Sequence, residues 1–135
     1  MAIMKWDESL SVGVRALDHD HQRLVALINK LHEAMSIGKG KEVLGKILAE
    51  LIKYTQYHFG AEEKFFEQYA YPDARAHIRE HADLTKKVIA LKGRFDNGTT
   101  IISLETMNFL KDWLTNHIMK TDKMYGPFLN SKGIN

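Results

Sequence analysis

The chain contains no cysteine. Disulfide bridges and thiolate metal sites are therefore excluded, and any bound metal must be held by histidine and carboxylate side chains. Only two prolines occur among the 135 residues, and no segment alternates apolar and polar residues in the manner of a strand. These absences favour an all-helical protein.

Long apolar runs and a strong net charge are also missing. No stretch of 18 apolar residues occurs, and the N-terminus lacks the apolar core of a signal peptide, so we expect a cytoplasmic protein without membrane insertion. The formal net charge is +2 and the basic residues are spread out, which gives no support for binding to nucleic acid. The length and the hydrophobic fraction of 44% indicate a single domain over residues 1–135.

What the sequence does contain is helical periodicity. Glycine and proline divide the chain into four long segments, each with an apolar stripe at helical spacing. The predicted helices cover residues 18–35, 42–69 and 73–95 and a fourth segment from about Ser103. Asp18 and Asp73 are the expected N-caps of the first and third.

Short loops between these segments make sequential helices antiparallel neighbours. The sequence therefore predicts an all-α, up-down-up-down four-helix bundle over residues 18–122. An irregular N-terminal arm over residues 1–17 precedes it, and a short C-terminal tail over residues 123–135 follows it.

Five of the seven histidines fall at one end of this bundle, each on the apolar stripe of its helix. They come from all four helices: His21, His58, His77, His81 and His117. The other two do not fit. His19 lies on a polar face and should be solvated, and His32 is about 16 Å further along the axis from His21 and should make an ordinary hydrogen bond.

Two carboxylates can join the five histidines. Glu62 is four residues after His58 and shares its face, whereas Glu63 is rotated by about 100° and should be solvated. Asp122 is five residues after His117, which in a straight α-helix points it away. It can join only if the helix ends or bulges between them, and π-bulges concentrate at functional sites.

Seven inward ionisable groups are costly to bury unless they bind metal. One ion does not need seven ligands, since zinc takes three or four from the protein, so two ions are indicated. Two six-coordinate ions offer twelve positions; five histidines, two bridging carboxylates and one bridging oxygen fill eleven. Iron suits this set, although zinc or manganese could occupy it.

Four spaced pairs together resemble the hemerythrin family, and in particular its single-domain bacterial members. The pairs are Asp18 with His21, His58 with Glu62, His77 with His81, and His117 with Asp122. The likeness runs through essentially the whole chain, with no departure at a ligand position.

The resemblance implies a non-haem di-iron centre with an oxo or hydroxo bridge. One iron would be held by His77, His81 and His117, and the other by His21 and His58, with Glu62 and Asp122 bridging. O2 would bind reversibly as hydroperoxide at the open position of the second iron. The implied role is oxygen carriage, storage or delivery, not catalysis, by a monomer that could supply an oxygen-consuming partner protein.

An apolar pocket should surround the open position to exclude water and anions. The residues that match family pocket positions are Leu24, Phe59, Trp113, Leu114 and Ile118, and each could equally be plain core packing. Tyr125, three residues after Asp122, is expected to support the ligands from behind.

Other functions remain open at this stage. Alternatives are O2 or redox sensing, a di-iron redox enzyme such as a peroxidase or a nitric-oxide-consuming protein, and a dizinc or iron-storage bundle. The segment HIREH over residues 77–81 also matches the H-x-x-E-H pattern of one class of zinc protease. Nothing else in the chain suggests a peptide cleft, so we expect Glu80 to make a surface contact or to support a ligand.

Overall fold

The structure, a computed structural model, describes residues 2–135 and consists mainly of helices joined by short loops. After a 3-10 turn over Glu8–Leu10, the helices are α1 (Arg15–Ser36), α2 (Lys41–Tyr69), α3 (Ala74–Asp96), α4 (Leu104–His117) and α5 (Lys123–Ser131). A π-helical turn over Ile118–Asp122 joins α4 to α5. This confirms the predicted all-α four-helix bundle.

The long helices run antiparallel to their sequence neighbours. The Lys41 ammonium at the start of α2 donates to the main-chain oxygen of Asp96 at the end of α3, at 2.8 Å. At the other end of the bundle, His81 in early α3 meets Glu63 in late α2. Helix α1 packs against α2 and α4, and the Trp113 indole of α4 donates to the main-chain oxygen of Leu84 in α3.

Helix starts differ in part from expectation. Asp18 is not an N-cap: α1 begins one turn earlier, at Arg15, and Val14 takes that position. The Asp18 carboxylate instead accepts from the Ser11 hydroxyl at 2.6 Å and from the Val12 amide at 2.8 Å. Asp73 occupies the N-cap of α3, as predicted, although its side chain makes no capping bond.

The N-terminal arm is part of the core. Met4, Leu10, Val12 and Val14 are buried, and the Asn29 side chain on α1 makes two hydrogen bonds with the main chain of Met4. The predicted tail is also structured, since most of it forms α5. Of the helices in residues 2–135, none combines the length and apolarity needed to cross a membrane.

Candidate metal centre

Seven ionisable side chains meet inside one end of the bundle. Each is almost completely buried, the most exposed at 3%. They are the residues that the sequence predicts: His21 from α1, His58 and Glu62 from α2, His77 and His81 from α3, His117 from the end of α4, and Asp122 from the π-helical turn. The structure brings all seven together.

The donor atoms divide into two groups that share both carboxylates. The three-histidine group contains His77, His81, His117, Glu62 and Asp122, and the two-histidine group contains His21, His58, Glu62 and Asp122. Within each group, one donor atom from every residue lies within 4.8 Å of all the others. The arrangement therefore offers a set of ligands to each of two neighbouring cations.

Each carboxylate turns one oxygen toward each group. Glu62 Oε1 lies 2.9 Å from His81 Nε2, and Oε2 lies 3.2 Å from His58 Nε2. Asp122 Oδ1 lies 2.9 Å from the Nε2 atoms of both His77 and His117, and Oδ2 lies 3.0 Å from His21 Nε2. Both side chains are therefore placed to bridge.

The same atoms fit a metal better than they fit one another. All five Nε2 atoms are buried without a partner in hydrogen-bonding geometry, although carboxylate oxygens lie close to them. Two donors bound to one ion at right angles, each at about 2.1 Å, lie about 3 Å apart, which matches the distances above. Buried polar atoms are rarely left unsatisfied, so the donor set and its spacing fit bound cations.

Electrostatics point the same way. Burial alone lowers the pKa of His21, but the carboxylates of Asp122 and Glu62 outweigh it and raise that pKa to about 10. The same carboxylates raise the pKa of His77 to about 9 against the effect of burial. Burial would raise the pKa of Glu62, yet His58, His21 and His77 hold it well below its usual value. The centre thus favours positive charge, which protons supply when no metal is bound.

The π-helical turn explains how Asp122 enters the site. Backbone hydrogen bonds of the i→i+5 type widen the turn. A residue five positions after His117 therefore lies on the same side of the helix as His117. The distortion that the sequence required between these two residues is therefore present, and it coincides with the Ile118–Asp122 segment.

Three further carboxylates lie behind the histidines and contact their Nδ1 atoms. Asp20 contacts His58 at 2.9 Å, Glu63 contacts His81 at 2.8 Å, and Glu80 contacts His117 at 3.0 Å. Such contacts fix which ring nitrogen carries the proton and leave Nε2 free to bind.

These carboxylates change two expectations. The prediction that Glu63 is solvated was wrong: it is only about one-third exposed and is bonded to His81. Asp20 was missed by sequence reasoning, although its position next to His21 turns it toward α2, where His58 lies. The contact expected of Glu80 is present, and the Thr121 hydroxyl also donates to it.

Tyr125 supports the centre from α5. Its hydroxyl is fully buried and donates to Glu62 Oε2 at 2.5 Å. Burial, followed by the negative charges of Glu62 and Asp122, raises the pKa of Tyr125 well above its usual value, so the phenol stays protonated and remains a donor.

The five expected pocket residues are all buried. Leu24, Trp113, Leu114 and Ile118 belong to the main apolar cluster. The Phe59 ring stacks on the His81 ring, with centroids 3.9 Å apart, and meets the His117 ring edge-on at 5.5 Å. The Phe59 ring therefore covers two imidazoles of the three-histidine group.

The two remaining histidines stay outside the centre. His19 is exposed, as predicted. His32 is half-buried, but its Nδ1 atom has no partner among the described residues. The ordinary hydrogen bond expected for His32 is not found at that atom.

Comparison with known families agrees with this geometry. The sequence model of the Hemerythrin HHE cation binding domain matches residues 12–129, which include all seven buried groups. The chain belongs to the hemerythrin family. This membership confirms the family resemblance seen in the sequence. It also supports a protein of the di-iron, O2-binding kind.

Relatives within the family align over most of their length. A bacteriohemerythrin of Methylococcus capsulatus is 36% identical over 132 residues, which cover 97% of this chain and all of the relative. A hemerythrin-like protein of Naegleria gruberi is 32% identical, with 89% and 88% covered. A wild-type hemerythrin crystal structure superposes with a TM-score of 0.88 at 35% identity, covering 93% of this chain and 97% of that one.

Proposed function

We propose that this protein binds O2 reversibly at a non-haem di-iron centre and serves in oxygen carriage, storage or delivery. The observation that carries the proposal is the division of the Glu62 and Asp122 oxygens between two histidine groups. A pair of ferrous ions held by these residues would supply the two electrons that O2 takes up when it binds reversibly.

The two groups are unequal, which supports an open position on one iron. The three-histidine group offers five donors and the two-histidine group offers four. A bridging oxo or hydroxo oxygen would add one to each. An iron held by the three-histidine group would then have six ligands, and an iron held by the two-histidine group would keep one position for O2.

The chain's own residues would protect that position. Leu24, Phe59, Trp113, Leu114 and Ile118 are apolar and buried, so they exclude water and anions from the iron. Tyr125 and the Nδ1-bound carboxylates hold the ligands in place. We propose that the protein works as a cytoplasmic monomer and can pass oxygen to an oxygen-consuming partner protein.

A di-iron redox enzyme is the second candidate, and one observation favours it. Asp20, Glu63 and Glu80 add negative charge behind three imidazoles, and hydrogen bonds of this kind make an imidazole a stronger electron donor. Multiple-turnover assays with a reductant and either peroxide or nitric oxide would reveal such activity.

The decisive experiment is a visible spectrum of the anaerobically reduced protein, recorded before air, after air and again under argon, with metal content on the same sample. We expect about two irons per chain and an absorption band that appears with O2 and disappears under argon. Two irons with irreversible oxidation would favour a redox role. Zinc in place of iron would overturn the proposal.

A further inference from the structure

The two halves of the centre differ in how their histidines are held from behind. In the three-histidine group, His81 Nδ1 is hydrogen-bonded to Glu63, and His117 Nδ1 is hydrogen-bonded to Glu80. In the two-histidine group, within residues 2–135, His58 alone has such a partner, Asp20. The half with fewer donors also has fewer anchored imidazoles.

His21, like His77 in the other group, has no carboxylate behind it among residues 2–135. The His21 Nδ1 atom is also fully buried and has no hydrogen-bond partner there. When a metal binds through Nε2, the proton of the ring stays on Nδ1, where no group among these residues accepts it. No contact there therefore selects the tautomer that metal binding needs.

His58 is held by a chain of two residues that leads outward. Asp20 Oδ2 lies 2.9 Å from His58 Nδ1, and Oδ1 accepts from the Tyr54 hydroxyl at 2.9 Å. Asp20 is 14% exposed, against 34% for Glu63 and 37% for Glu80. Tyr54 thus covers the carboxylate and orients it.

We propose that the two ions are held unequally, with the ion of the two-histidine group the more easily lost, and that Asp20 and Tyr54 are the positioning residues that retain it. The inference rests on the proposed occupation by two metal ions and not on O2 binding. The protein would then pass through a one-ion form when iron is scarce, with the three-histidine group still filled.

The test is anaerobic release of Fe(II) from the loaded protein to a coloured ferrous chelator. We expect two phases of about one iron each, with rates at least about tenfold apart. Asp20→Asn should accelerate the fast phase about 10- to 100-fold and leave the slow phase unchanged. Tyr54→Phe should act in the same direction but more weakly, because the carboxylate remains.

Three comparisons make the test specific. Tyr57→Phe is the matched control, because Tyr57 is 64% exposed and its ring lies beside Tyr54, with centroids 5.5 Å apart; both phases should be unchanged. Asp20→Glu keeps the negative charge. Its fast phase should therefore be slower than that of Asp20→Asn, although still faster than that of the parent protein. His58→Ala should abolish the fast phase and keep the slow one, which assigns the phases to the two halves.

Several results would overturn the inference. They are a single release phase for both irons, equal acceleration of both phases by Asp20→Asn, and loss of the slow phase in His58→Ala. A merely structural role for Asp20 would move both phases together. Two unequal phases in a protein without an O2-dependent band would overturn the proposed function and leave this inference standing.

Discussion

Glu62 is completely buried, and its two oxygens face different histidine groups. Among residues 2–135, the hydroxyl that donates a hydrogen bond to Glu62 belongs to Tyr125 in α5, 63 positions further along the chain. A buried carboxylate that loses a donor is costly, because water cannot reach it to compensate. Tyr125 therefore ties α5 to the centre.

We predict that Tyr125→Phe destabilises the protein by about 1–3 kcal/mol, the cost of leaving a buried acceptor unsatisfied. Denaturant unfolding of the metal-free protein measures this loss. Tyr57→Phe, which removes an exposed hydroxyl, is the control and should change stability by less than about 0.5 kcal/mol. Equal stability of the Tyr125 variant and the parent would contradict the assigned role.

Metal loading should release protons. We expect the metal-free protein at pH 7 to hold protons on His21 and His77, because the nearby carboxylates raise their pKa values to about 10 and about 9. A metal ion needs the neutral ring. The apparent metal affinity should therefore rise with pH until these values are passed.

Calorimetric titration with Co(II) in two buffers of different ionisation enthalpy counts the protons released. We expect more protons released per ion at pH 7 than near pH 10. The same number at both values would show that the imidazoles are already neutral in the metal-free protein.

Among the elements, the π-helical turn Ile118–Asp122 has the most direct effect on the centre. The turn contains one residue more than an α-helical turn. His117 and Asp122 therefore both face the metal centre. In a regular α-helix, residues four apart share a face, as His58 and Glu62 do, whereas residues six apart point about 120° from each other.

Deletion and insertion in this turn should therefore have unequal effects. Deleting Met119, which is 44% exposed, should convert the turn to α-helix and keep two metals per chain. Inserting one alanine after Met119 should turn the Asp122 carboxylate away and lower metal content. Metal analysis after reconstitution measures both, and equal losses in the two variants would contradict this account.

Helix α5 and the N-terminal arm meet at Gly126. A Cβ atom there would collide with the main-chain oxygen of Val12, because the two would be closer than non-bonded carbon and oxygen atoms can approach. Only glycine allows the arm to pack this tightly against α5.

We expect Gly126→Ala to destabilise the fold by about 1–3 kcal/mol through overpacking. Gly60→Ala, within α2 with nothing within 4 Å of its Cβ position, should instead stabilise it by about 0.5–1 kcal/mol. Thermal unfolding compares the two variants. A neutral Gly126→Ala would show that the arm moves aside at little cost.

For the whole molecule, metal and fold are thermodynamically coupled. The unfolded chain cannot assemble a site whose donors come from α1, α2, α3, α4 and the π-helical turn, so metal binds the folded state almost exclusively. The buried atoms without partners at the centre weaken the metal-free state further.

Metal removal should therefore lower the unfolding temperature. At free metal a hundredfold above the dissociation constant, each ion adds about 2.7 kcal/mol of stability. Differential scanning calorimetry with and without a chelator measures the shift, which should grow with metal concentration. An unfolding temperature independent of metal would mean that the ions do not bind the folded centre.

Much of this protein was determined by its sequence alone. The helical period sets the direction of each side chain along its own helix, so the convergence of His21, His58, His77 and Glu62 followed from counting residues. Short loops then set the antiparallel order. Spacing also showed that Asp122 required a distortion after His117, although it did not specify a π-helical turn.

Only the tertiary structure decided which carboxylate stands behind which histidine. Asp20, Glu63 and Glu80 each reach a histidine on a neighbouring helix, and that depends on the rotation of one helix against another, which the period does not fix. The start of α1 was misplaced for a related reason. Asp18 is a good N-cap by type, but its carboxylate bonds to the folded arm instead, and contacts between elements override local preference.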